Sequence, residues 1–259
     1  FSCINLSGQF VNAPADSSNS RNTFTNNIIT NAAYGIYMNG SSLGDISNTV
    51  FKNTIGTSSA KIGYRAILAS NQTNVNISYN TVSNVQGDYF SPSEFESSAG
   101  IVISGVSSGA TVFSNKIFNI KNTSTSGESV YGIALQAIDT ISNKRFYNNF
   151  IYSISAYGNT SYAASNTHGI AILSGGGYKI YFNSIYLNDN MSVASISSGI
   201  YIGPNTSVTG NIDIRNNIFS NRQTLGSRYA IYSLSPKTIF SAINYNNYFS
   251  SGPVGYLAG

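Results

Sequence analysis

Charge is scarce in this chain. Lys, Arg, Asp and Glu together supply 8% of its 259 residues, where about 25% is usual. Hydrophobic residues still supply 41%, so disorder driven by high charge and low hydropathy is excluded. The net charge of +4 contains no basic run. The densest positive spot is the pair Lys144-Arg145, which falls short of the clustered Lys and Arg of a nucleic-acid surface. Cys3 is the only cysteine, which excludes an internal disulfide. With no His near it in sequence, it reads as inert rather than nucleophilic. No apolar run approaches the roughly 20 residues of a membrane-spanning helix. Phe1 does not open a signal peptide, so a secreted protein would be represented here in a mature or trimmed form. No motif calls for a cofactor, and no carboxylates converge in the way calcium requires.

The polar character comes instead from Asn, Ser, Thr and Tyr. With 19 Tyr, 14 Phe, 24 Gly and no Trp, the composition is that of a β-rich chain. The segments TVFKNTIG (49–56) and TVFSNKIF (111–118) are almost the same words. Scanning for apolar-x-x-Asn-x-apolar returns eight copies, centred on Asn27, Asn53, Asn80, Asn115, Asn149, Asn183, Asn217 and Asn246. Their spacings are 26, 27, 35, 34, 34, 34 and 29 residues. A second motif falls between them, such as Gly35-Ile36-Tyr37-Met38, Gly132-Ile133-Ala134-Leu135 and Gly199-Ile200-Tyr201-Ile202. Its alternation is strand-like, with Ile36, Ile101, Ile133, Ile170 and Ile200 on one side.

Several short strands in each repeat, and no helical spacing between them, predict an all-β parallel solenoid with three strands per turn and about eight rungs. Asn accepts a left-handed backbone at a tight bend. Its amide can also pair with an identical Asn about 4.8 Å away on the next rung, giving a ladder. The eight Asn are therefore read as architectural.

The alternation of Gly-Ile-x-Ile with Ile-x-x-Asn-x-Ile over residues 24–249 resembles the right-handed parallel β-helix repeat of the pectin-lyase-like superfamily. KIYFNSIYLN (179–188), IDIRNNIFSNR (212–222) and NYNNYFSSGPVGYLAG (244–259) are similar to β-helix segments of very large secreted surface proteins of gliding, Bacteroidota-type bacteria. Residues 1–23, with Phe1, Ile4, Leu6, Phe10 and Val11, are expected to form a partial rung and cap. Residues 24–259 form the β-helix, in a polypeptide expected to continue beyond Gly259. The segments 83–99, 120–131 and 154–168 are read as loops over the middle rungs, because length varies mainly between each Asn and the next Gly-Ile motif.

The resemblance implies sites on outward-facing strand residues, with a Lys or Arg base and calcium-binding acids in lyases, or three Asp with Gly-His-Gly in hydrolases. The six Asp are scattered, and His168 in Thr167-His168-Gly169 lacks Asp partners, so it reads as structural. The one catalytic alternative is the stack of Arg145, Lys179 and Asp213, each four residues before a ladder Asn, with Lys144 and Arg215 close by. Such a column can hold a uronate carboxylate, or it can be a ladder of surface ion pairs of about 0–1 kcal/mol each. Aromatic columns offer a binding surface. Phe118, Tyr152 and Tyr186 follow the Asn by three residues, while Phe51, Phe113, Tyr147 and Tyr181 precede it by two. Tyr37, Tyr201 and Tyr232 are expected to face outward on the Gly-Ile strand. The sequons at Asn122, Asn159, Asn190 and Asn205 are at the level that Asn- and Ser-rich composition produces. The reading is a non-catalytic extracellular scaffold or adhesive domain whose partner is a glycan or another surface protein. The alternative is a polysaccharide lyase.

Overall fold

The computed structural model describes residues 2–8, 13–41, 44–88, 97–140, 143–162, 166–206 and 209–258. The expected cap residues Phe1, Phe10 and Val11, part of two expected loops and Gly259 lie outside the described residues. Each sequence repeat becomes one turn of a parallel β-solenoid of about seven turns, with the eight Asn at successive levels.

Each turn is built on three strands, named here by their place, and two early turns add a two-residue strand, Asp45–Ile46 and Gln72–Thr73, which pair with each other. The glycine strand carries the Gly-Ile motif, as in Val130–Ala137 and Thr167–Ser174. The approach strand leads to the ladder Asn, as in Lys144–Tyr147 and Tyr178–Tyr181. The exit strand leaves it, as in Phe150–Ser155 and Ser184–Leu187. Approach strands form one eight-stranded sheet, whereas glycine and exit strands join in a 17-stranded sheet. All of these pairings are parallel and nearly all in register, so Phe146 sits over Ile180 and Ile151 over Ile185. Ser2–Leu6 is the first glycine strand, with Ile4 opposite Ile36.

Inward residues from the three faces make one continuous core, including Ile133, Phe146, Ile151, Ile170, Ile180 and Ile185. Burying each such side chain contributes about 1.5–3 kcal/mol. The Gly of the Gly-Ile motif follows from close approach. A Cβ on Gly132 would overlap Ile151 Cγ2 and the Gly169 carbonyl, and one on Gly169 would overlap Ile185 Cγ2.

The ladder forms as expected, but the left-handed bend falls one residue earlier. Asn26, Lys52, Tyr79, Ser114, Asn148, Phe182, Asn216 and Tyr245 all have φ between 54° and 58°. The ladder Asn must direct its amide along the axis, so the chain reverses at the residue before it. That residue carries the strain whatever its type, even where it is Phe or Tyr. A second left-handed bend at Asn84, Asn119 and Ser153 lets three exit strands run on. They are Thr81–Gly87, Lys116–Asn122 and Phe150–Ser155. The first residues of the segments expected to be loops are thus sheet.

Candidate binding surface

The ladder is satisfied at every interior level. Asn149 donates its backbone N–H at 3.1 Å and its Nδ2 at 2.9 Å to Oδ1 of Asn183, while the same Nδ2 donates to the Val112 carbonyl at 3.0 Å. Asn27 through Asn217 repeat the paired donation to the following Asn. At the last level, Asn246 Nδ2 donates to the Tyr248 hydroxyl at 3.0 Å instead.

The outward side of the glycine strands is not a free surface. Tyr37, Tyr201 and Tyr232 point away from the core as alternation predicts, yet they are 8%, 1% and 8% exposed. They belong to a second apolar layer with Leu68, Val102 and Tyr131. Alternation assigns a side of the sheet but not whether that side is covered, and here it is. His168 lies in this layer, fully buried, with its ring 4.6 Å from that of Tyr201 and Nδ1 2.8 Å from Ser198 Oγ.

The accessible chemistry lies along the corner where approach strands turn into exit strands. Arg145, Lys179 and Asp213 occupy one register column on three consecutive approach strands. Arg145 and Lys179 are exposed, and among the described residues neither has a carboxylate within ion-pair distance. Asp213 is committed elsewhere. Arg215 Nε and Nη2 hold its two oxygens at 2.7 and 2.6 Å, and the Tyr181 hydroxyl donates to Oδ2 at 2.6 Å. Burial, then the hydrogen bond to Asp213, pushes the Tyr181 phenol up from its ordinary value. Hydrogen bonding to Asp213 and Tyr181 raises the Arg215 guanidinium further above its already high value.

Lys144 does not join the column. It shares inward parity with Phe146, is fully buried, and sends Nζ to Asp139 Oδ2 at 2.9 Å and to the Gly176 carbonyl at 2.8 Å. Its ammonium lies 4.9 Å from the centre of the Tyr178 ring. Burial pulls its protonation below the usual lysine value, against the opposing pull of Asp139. The alternation Lys144-in, Arg145-out, Phe146-in was present in the sequence and is the signal that separates the two neighbours.

Two aromatic columns flank the corner. Phe113 and Tyr147 stack at 4.9 Å and 8°, and Phe118 and Tyr152 at 4.9 Å and 3°. Lys116 Nζ lies 5.0 Å from the Phe118 ring centre and 5.8 Å from that of Tyr152. Tyr186 continues the second column on the next rung and is 37% exposed. These rings stack mainly on one another, which leaves part of each ring to solvent. Beside Lys179 a cavity of about 250 Å³ is lined by Asn143, Tyr178, Asn211, Asp213 and Ser241. Among the described residues no three His, Cys, Asp or Glu side chains gather as metal ligands.

Comparisons with protein-family models, with curated proteins and with solved structures return no match to this chain.

Proposed function

We propose that this chain is a non-catalytic scaffold or adhesive domain displayed outside the cell, with the approach–exit corner as its binding surface. The observation that carries the reading is the state of Asp213. Its carboxylate is held by Arg215 and Tyr181, which leaves Arg145 and Lys179 as exposed cations. Proton abstraction beside a carboxylate needs a base and charge-stabilising groups converging in a water-excluded site; two cations standing in water are suited to holding an anion. Low charge and a hydrogen-bonded ladder running through the whole solenoid favour a stiff, exposed, protease-resistant role.

The right-handed, pectin-lyase-like form belongs to this reading. Parallel strands joined by crossovers are right-handed in about 98% of cases, and the alternation of the two motifs agrees with that type. Of the Tyr expected to bind, Tyr152 and Tyr186 keep accessible surface, whereas Tyr37, Tyr201 and Tyr232 do not.

The lyase reading draws support from one feature, the cavity beside Lys179. A single assay separates the two. The purified chain, incubated with pectin, alginate or glycosaminoglycans with and without calcium, is expected to generate no unsaturated uronate absorbance. It is expected to be retained on cells or a glycan array, less so after Tyr152→Ala or Tyr186→Ala. Turnover that disappears in folded Lys179→Ala would replace the adhesive reading with the lyase.

A further inference from the structure

We propose that Tyr232 and Tyr256 are a site of oxidative cross-linking that staples the strand Gly255–Leu257 to its neighbour. A carbon–carbon bond joins the two rings when a haem peroxidase and hydrogen peroxide act as one-electron oxidant. The proposal goes beyond the adhesive reading and does not depend on it. The two residues are Cα partners on the adjacent parallel strands Ser227–Ser233 and Gly255–Leu257. Their ring centres lie 4.8 Å apart, with the planes 20° from parallel. Other Tyr pairs among the described residues are less well placed. Tyr229–Tyr232 is tilted by 50°, and Tyr34–Tyr37 is edge-on at 80°. Tyr34–Tyr64 and Tyr201–Tyr232 stand 5.9 and 6.1 Å apart. The stacks of similar spacing, Phe113–Tyr147 and Phe118–Tyr152, set a Tyr against a Phe, which has no phenol to oxidise.

Exposure differs across the pair in the way the reaction needs. Tyr256 is 44% exposed and open to the oxidant, whereas Tyr232 is 8% exposed and packed against Tyr201 and Tyr229. A radical formed on Tyr256 meets Tyr232 first, since Tyr229 lies farther off at 6.4 Å. Each phenol gives its electron to the oxidant, Tyr232 by way of the Tyr256 radical, and its O–H proton to water. The two ring carbons ortho to the hydroxyls then bond. Their hydrogens move as protons to the oxygens, which restores both aromatic rings. Overall the pair loses two hydrogens, and one hydrogen peroxide is reduced to two waters. An exposed side chain changes rotamer in ps–ns, so Tyr256 can tilt its ortho edge toward the packed ring. The bond falls where the sheet is held least firmly. Gly255–Leu257 is joined by three register pairs, and all three of its residues are exposed. Closing the loop between Tyr232 and Tyr256 removes chain entropy from the state in which that strand is detached.

The experiment treats the whole chain, at high dilution, with a haem peroxidase and hydrogen peroxide. It reads dityrosine fluorescence, intact mass and the fragments of a tryptic digest. A fluorescent monomer lighter by two hydrogens is expected, with the peptide 229–237 linked to the peptide 238–259 through Tyr232 and Tyr256. Tyr232→Phe and Tyr256→Phe each keep a ring in the stack and should abolish the monomer's fluorescence. Tyr245→Phe, at a residue 81% exposed, should leave it unchanged. In the linked chain, amide exchange at Tyr256 and Leu257 should slow by about tenfold or more, because local opening of the strand is suppressed. Fluorescence confined to covalent oligomers, a monomer linked through another pair, a signal that survives either Phe variant at 232 or 256, or no linked product at all overturns the proposal. So does a linked chain whose amides at 256 and 257 exchange as before.

Discussion

Asn149 and Asn183 are joined by two hydrogen bonds that end on a single atom, Oδ1 of Asn183, at 3.1 and 2.9 Å. Deleting one Asn therefore damages three levels. Asn149→Leu would strip the acceptor from two buried Asn115 donors and the donor from the Val112 carbonyl. An unpaired buried polar group costs about 1–3 kcal/mol, so a loss of roughly 3 kcal/mol is expected in denaturant unfolding. A variant that unfolds with the parent would remove the ladder as a source of stability.

Phe182, at φ 55° and 57% exposed, holds the bend before Asn183. Side chains with a Cβ dislike this conformation by about 1–2 kcal/mol, while Gly gives back part of the gain through unfolded-state entropy. Phe182→Gly should stabilise by about 0.5–1 kcal/mol. Phe182→Val, β-branched at the same φ, should destabilise by about 1 kcal/mol. Thermal melts of the two variants in the opposite order would show that the bend is not strained.

Lys144 makes a pH-dependent contribution. Burial lowers its protonation in the folded protein from the usual 10.5, so below that value the unfolded chain binds the proton more tightly than the native one. The penalty for keeping Lys144 buried shrinks as pH rises toward 10.5. The buried Tyr178 phenol, pushed up by desolvation, acts in the other direction, since its stabilising contribution is lost as pH climbs above 10. Comparison with Lys144→Met isolates the lysine. The parent's stability relative to the variant should rise between pH 7 and pH 10 in urea titrations. A constant or falling difference would contradict the assignment of Lys144 as a desolvated ammonium.

The repeat was legible because register is a matter of counting. Once the eight Asn were aligned, the core column from Phe24 to Ile214 and the outward column of Arg145, Lys179 and Asp213 followed by parity. Three things did not follow from counting. Whether an outward residue meets water depends on a second layer, which buries Tyr201 while Tyr186 stays exposed. Which neighbour a carboxylate prefers depends on side-chain reach: Asp213 takes Arg215 on its own strand, although Lys179 is its cross-strand partner. The location of backbone strain depends on what the Asn side chain must do, which placed the left-handed residue one position ahead of the motif's most conspicuous letter.

The amide donation runs in one sense throughout, from each Asn to the one on the following turn. Any interior turn therefore shows its neighbours the same two sockets, an Oδ1 on one side and a pair of N–H groups on the other. The turns ending at Asn149, Asn183 and Asn217 are each 34 residues long. Excising residues 150–183 would bring Asn149 face to face with Asn217 and rejoin both sheets at once. Length in this architecture comes in whole steps of about 4.8 Å, so a gene encoding it can lengthen or shorten its product by duplication or deletion of one unit without redesigning a single contact of the ladder.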